Sequence, residues 1–208
     1  MRDKLVDAGW DNKTALKVKD VCKGCMFLDE TRGIVYINEI IEMVMDMFED
    51  VINAGPIAKE PCLRMKVSLM DCKLHEDAIH RGPAQIYPAV RDGIRGAIMQ
   101  ANPVIFEPKQ ILQIDVPAEY MGEISKLISN KRGQLLEMNQ EGNLAVIKAK
   151  LPVGEMIGWS SDLRSATGGR GNSSLVDQMF EKLPSELQDK IIKQIRERKG
   201  LTEGQVGA

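Results

Sequence analysis

The sequence predicts an α+β protein in two parts, and three observations predict it. Apolar residues recur at intervals of three and four across 36–54, the period of a helix with one buried stripe. Apolar and polar side chains alternate over most of 65–71, as in a half-buried strand. Beyond residue 110 the order of patterns is strand, helix, strand, strand, helix, strand. That order is the split unit of a ferredoxin-like (βαββαβ) domain, with helices packed on one face of an antiparallel sheet.

Residues 1–21 read as charged and mildly helical, leading into a turn near Gly24. The helix over 36–54 carries Ile37, Ile40, Ile41, Val44, Met47, Phe48, Val51 and Ile52 on its stripe. Gly55 is placed as the residue after its last turn, and Pro56 stops it. Met43, Met45 and Met47 read as packing rather than as a ligand set. A strand over 63–72, an exposed tip and a helix over 88–101 follow, the last stopped by Pro103. A boundary falls at 103–108. Strands are then expected at 110–116, 134–138, 144–150 and 173–181, and helices at 120–130 and 154–166. Glu141-Gly142-Asn143 marks a hairpin. Gly168-Gly169-Arg170-Gly171 reads as a turn from helix to strand. A last helix begins at Pro184, with Ser185 as N-cap, Gln188 completing a capping box and Leu187, Ile191, Ile192 and Ile195 as its buried stripe. Lys193, Arg196, Arg198 and Lys199 crowd its end, where positive charge complements the helix dipole. Residues 202–208, with two glycines, read as a flexible tail.

The tip holds the chain's chemistry. Lys73-Leu-His-Glu-Asp-Ala-Ile-His-Arg-Gly-Pro-Ala-Gln85 contains both histidines of the protein, His75 and His80, between two rigid elements. On one helix they would stand about 500° apart and share no face, so a helical zinc pair of the His-Glu-x-x-His kind fails by one residue. No Gly-x-Ser-x-Gly elbow marks a nucleophile for a triad. The residues alone leave open two ordinary polar loop histidines, or a metal-dependent hydrolase built on His75, Asp77 and His80.

The same run, Leu74 to Gln85, resembles the tip loop of the fourth domain of translation elongation factor 2, in its archaeal and eukaryotic form; Pro83-Ala84 matches the archaeal version. Arg32-Gly33, Gly55-Pro56, Arg164-Ser-Ala-Thr-Gly-Gly169 and the stretch from Glu186 to Leu201 extend the resemblance over nearly the whole chain. It implies a first domain over 1–103 with a ribosomal-protein-S5-like βαβ fold and its tip at 74–87. It also implies a fifth-domain-like, ferredoxin-like unit over 104–184 and a C-terminal helix over 185–201 packing back on the first domain. By resemblance, His80, directly before Arg-Gly, is the acceptor of diphthamide. The tip residues His75, Asp77, His80, Arg81, Gly82, Pro83 and Gln85 would meet RNA at the decoding site of the small ribosomal subunit, near tRNA and mRNA. Asp77 would orient an imidazole and Arg81 would meet phosphate. The second domain would face the factor-binding region of the large subunit, with Arg164 and Arg170 as candidates. Diphthamide-synthesis enzymes and, once His80 is modified, ADP-ribosylating toxins are the further partners implied. An RNA-binding module with no role in translocation is the alternative within the same chemistry.

Composition narrows the classes. Hydrophobic residues at 43% of 208 support a sizeable core. A net charge of −2 excludes a domain that is basic throughout, so any RNA contact is local, around Arg81, Arg91 and Arg95. Aromatics at 4% are too few for a base-stacking platform. No apolar run reaches membrane-span length and the N-terminus has no signal-peptide core, which leads us to expect a cytoplasmic monomer with free thiols. Cys22-Lys-Gly-Cys25 could be half a zinc site or a redox pair, but Cys62 and Cys72 are ten apart and no thioredoxin-like context is evident. Packing is the favoured reading there. No Gly-x-x-x-x-Gly-Lys-Ser/Thr loop occurs, so this chain is not expected to hydrolyse GTP or to hold a cofactor; GTP and magnesium belong to the GTPase domain of the family.

Overall fold

The computed structural model describes residues 2–202. They form two compact units: residues up to Pro103 together with those from Asp189 onward, and Val104–Gln188.

The first unit opens with two short helices, α1 (Arg2–Asp7) and α2 (Asn12–Lys17). Asp11 caps α2 by accepting from the backbone N–H groups of Lys13 and Thr14. A hairpin unforeseen in the sequence follows, β1 (Val18–Cys22) and β2 (Cys25–Asp29). Its two-residue turn, Lys23-Gly24, has φ of 48° and 74°, the left-handed pair that suits the twist of adjoining strands. Five-residue strands with interspersed charge carry too little alternation to stand out. Helix α3 (Ile37–Asn53) crosses to β3 (Lys66–Leu69), which pairs parallel with β2, so the sheet runs β1-β2-β3. The stripe of α3 buries Ile40, Val44, Phe48, Val51 and Ile52 against Cys25 and Phe27 of β2 and against Ile86, Ile94 and Ile98. Ile37, Ile41 and Met47 are only partly buried. Gly55 serves a purpose other than a left-handed cap: a Cβ there would meet the Cys62 sulfur at 2.7 Å.

The helix expected at 88–101 is longer, α4 (Pro83–Gln100). It starts at Pro83, whose missing N–H costs nothing in a first turn, and continues through Pro88. Pro88 thus lies inside the helix and not at its start, although proline is rarer inside helices than at their ends.

The second unit is a four-stranded antiparallel sheet of β4 (Phe106–Pro117), β5 (Gln134–Glu141), β6 (Leu144–Pro152) and β7 (Asn172–Lys182), in the order β5-β6-β4-β7. With α5 (Met121–Asn130) and α6 (Trp159–Ala166) between strands, this is the ferredoxin-like arrangement. Alternate residues of β4 and β6 (Leu112, Ile114, Val116, Ala145, Ile147, Ala149, Leu151) face Ile124, Ile128, Trp159 and Leu163. The helix expected from 154 begins only at Trp159, after a 3₁₀ turn over Val153–Glu155.

The last helix, α7 (Ser185–Arg198), departs from expectation in two ways. Gln188 makes no capping box. Its amide instead accepts from the Ile105 N–H at 2.8 Å and donates to the Ile105 and Leu183 carbonyls. Leu187, Ile191, Ile192 and Ile195 are half-buried, and no residue of α7 is fully buried. Within the first unit the basic end grips a loop: Arg196 donates to the Ile57 carbonyl, Lys199 to those of Ala58 and Lys59, and Lys199 pairs with Glu60 at 2.8 Å. From residue 203 on, the expected tail lies outside the described residues.

Candidate functional site

The tip is built by three consecutive devices. After β3 the chain runs without regular structure to Asp77, makes one 3₁₀ turn over Ala78–His80, and enters α4 at Pro83. The irregular tip therefore ends at Gly82, five residues before the expected limit of 87. Asp77 starts the turn by accepting from the Ile79 N–H at 3.1 Å. The His80 and Arg81 N–H groups close it onto the Asp77 and Ala78 carbonyls. Gly82 is the N-cap of α4, with its carbonyl accepting from Gln85 and Ile86.

His75 and His80 come together although they are five apart. Their ring centroids lie 4.5 Å apart, edge to face at 69°. The His75 Nδ1 accepts from the Asp77 N–H at 3.0 Å. Both rings are exposed, as are Glu76, Asp77, Ala78 and Ile79, the last at 72% of its surface. Asp77 meets an imidazole through its backbone N–H rather than through its carboxylate, one oxygen of which caps the turn. For the hydrolase alternative, no group of three His, Cys, Asp or Glu among the described residues is placed to hold a metal.

Arg81 is the clearest correction. Expected to project toward phosphate, it is 7% exposed. Its Nε and Nη2 donate to one carboxylate oxygen of Glu39 at 3.0 and 2.7 Å, and its Nη1 donates to the carbonyls of His75 and Glu76, both at 2.7 Å. Its guanidinium carbon sits 4.0 Å from the centroid of the Tyr36 ring. A guanidinium with five donors in a fixed fork suits this enclosure, where a lysine would leave acceptors unmet. Tyr36 and Glu39, at the start of α3, were not singled out in the sequence. They stand 45 and 42 residues before Arg81, and only the fold brings them to it. Pro83 and Gln85 are exposed on the first turn of α4, while Gly82 is half-buried. Arg91 pairs with its neighbour Asp92 at 3.1 Å.

In the second unit, Arg170 is tied to Glu119 at 2.9 Å, to the Tyr120 hydroxyl and to the Tyr120 ring face, while Arg164 is exposed. The Gly168–Gly171 turn is closed by the buried Thr167 hydroxyl, which donates to the Leu163 carbonyl and accepts from the Gly171 N–H. Cys22 and Cys25 flank the β1–β2 turn as register partners, which accounts for their spacing. All four cysteines are free, and burial pushes the Cys62 thiol up to about 11. No helix among the described residues is long and apolar enough to cross a membrane.

Comparison with known proteins matches both units to one kind of protein. A family model described as elongation factor G, domain IV matches residues 2–102, and one described as elongation factor G C-terminus matches residues 104–191. The chain is 50% identical over 194 residues to elongation factor 2 of Methanosphaera stadtmanae, covering 93% of the chain and 27% of that protein. It is 50% identical over 197 residues to elongation factor 2 of Nanoarchaeum equitans, covering 95% of the chain and 26% of that protein. Elongation factor 2 of Methanocaldococcus jannaschii is 50% identical over 197 residues, at 95% and 27%. The chain thus spans about a quarter of the length of the relatives it matches.

Proposed function

This chain belongs to the elongation factor 2 family, as the part that carries domain IV and the C-terminal domain, and from that premise we propose that it is the ribosome-contacting part of a GTP-dependent factor that moves tRNA and mRNA. In this reading His80 accepts diphthamide and the tip enters the decoding site of the small subunit. The observation that carries the reading is the exposed turn bearing His80, braced from beneath by buried Arg81.

The tip suits contact with RNA that is read by shape. An exposed imidazole on a capped turn can meet ribose hydroxyls and phosphates without reading base sequence. Diphthamide on His80 lengthens its reach and adds a cationic head at the turn, where the neighbouring Arg81 is turned inward. The second unit faces the large subunit in this reading, with Arg164 among its exposed cations. Enzymes of diphthamide synthesis, and toxins that ADP-ribosylate the modified residue, would act on His80. GTP hydrolysis belongs to a domain beyond this stretch.

Peptide mass spectrometry across residues 74–91, on protein from its native host, tests the reading. A diphthamide-sized increase localised to His80 supports it. An unmodified His80, together with no ribosome co-sedimentation of the native full-length factor, overturns it.

A further inference from the structure

We infer that Arg81 is a positioning residue for His80: with Glu39 and Tyr36 it latches the tip loop to the start of α3, and so fixes the direction in which the neighbouring imidazole projects. The inference rests on the tip being the working surface, as proposed above, but its mechanics are independent of what the tip meets.

Three features single this arginine out. Its side chain joins two segments far apart in sequence, the loop carbonyls of His75 and Glu76 and the Glu39 carboxylate on the first turn of α3. It is only 6% exposed, whereas the Glu39 side chain is 50% exposed, so the latch is anchored at one end inside and open to solvent at the other. Tyr36, whose ring covers the guanidinium at 4.0 Å, holds φ at 68°, a left-handed conformation uncommon for a residue with a side chain. Strained backbone of that kind persists where its surroundings fix it, and it gathers at working sites.

The geometry also explains why one loop can hold two exposed histidines without ambiguity. Arg81 draws the carbonyls of residues 75 and 76 inward. That brings the His75 ring to 4.5 Å from His80, edge to face, and keeps its Nδ1 on the Asp77 N–H. Released from Arg81, the loop keeps the Asp77 cap, the Asp77 N–H bond to His75 and the two N–H bonds of the 3₁₀ turn, all local to a single exposed turn that they do not hold firmly.

The test uses the full 208-residue chain, with variants Arg81→Lys and Glu39→Ala. Hydrogen exchange read by NMR at the Ile79, His80 and Arg81 amides, and the nuclear Overhauser contact between the two imidazoles, report the tip directly. Both variants are expected to speed exchange at those three amides by about tenfold or more and to lose the ring contact, while the α3 core amides at Val44 and Phe48 stay protected. A merely structural loss would speed exchange in α3 as well. If Arg81→Lys fails to fold, Glu39→Ala carries the test, because its side chain is half exposed. Tip amides and ring contact unchanged in Glu39→Ala overturn the inference. A loosened tip in a chain whose native His80 carries no modification and whose full-length factor binds no ribosome upholds the latch and discards the ribosomal reading.

Discussion

His80 and Arg81 are neighbours in the chain with opposite surroundings, one exposed on a turn and the other enclosed by two carbonyls, a carboxylate and a ring. His80→Ala removes an exposed ring, so the melting temperature is expected to stay close to that of the parent, a change within about 0.5 kcal/mol. A drop of many degrees would mean the imidazole braces the tip rather than presenting itself. What the sequence disclosed at this scale was identity and exposure: the short run around His80 was legible because its composition and family pattern are local. Arg81's direction was not, since an arginine in a polar loop looks solvated until Glu39 and Tyr36 are known to lie against it. Asp77 is similar. A carboxylate two residues from a histidine suggests an orienting pair, and only the backbone path shows that it caps the next turn instead.

Helical periodicity was legible over α3, where a stripe at three and four meets a sheet, and less so over α7, where the same period meets partial cover. The consequences differ in size. Phe48 is fully buried among Phe27 and the facing helix, so Phe48→Ala should lower stability by about 3–5 kcal/mol. Ile192 is half-buried, so Ile192→Ala should lower it by less than about 2 kcal/mol. Urea denaturation of the two variants checks the order, and equal losses would show that α7 is covered more fully than its exposure implies. Strands carry a different kind of element-scale term. Across β4, β6 and β7, Glu181 meets Lys109 at 3.1 Å and Lys150, and the Lys150 hydrogen bond, with that of Lys109, holds the Glu181 carboxyl below the ordinary glutamate value of 4.5. A carboxyl depressed in the folded state stabilises above its ordinary range and loses that contribution as pH falls through the folded value. Glu181→Gln should therefore lower the denaturation midpoint near about pH 7, and the gap from the parent should narrow steadily below 4.5. Glu181 is about a third exposed, so solvent keeps the effect small. A gap that is constant with pH would assign the loss to packing. The β1–β2 hairpin was the element least legible, because its signal sits in two left-handed turn residues, one of them a lysine, rather than in an alternating run.

Across the whole molecule the chain leaves its first unit at Pro103, builds the second from Val104 to Gln188, and contributes residues from Asp189 onward to the first again. The order of strands and helices beyond residue 110 made the ferredoxin-like unit readable, because that alternation marks the split unit even though β4 pairs with β6 and β7, both far from it in sequence. The return of the last helix was readable only through family resemblance, since nothing local in its basic end names the loop it grips. That return has a thermodynamic signature. Ending the chain after Gln188 removes the Arg196 and Lys199 bonds to the carbonyls of Ile57, Ala58 and Lys59 and the ion pair with Glu60, all within the first unit. It leaves in place the amide of Gln188 on Ile105 and every core residue of the second unit. Hydrogen exchange of the shortened chain should therefore quicken around residues 55–62 and through the first unit, with β4 and β6 keeping the protection they have in the full chain. Each bond lost to a charged donor is worth about 1.5–3 kcal/mol before solvent screening, and the partly exposed Lys199 sits at the low end, so the first unit is expected to loosen rather than unfold outright. Faster exchange in β4 and β6 instead would mean that the second unit depends on the returning helix for its own stability.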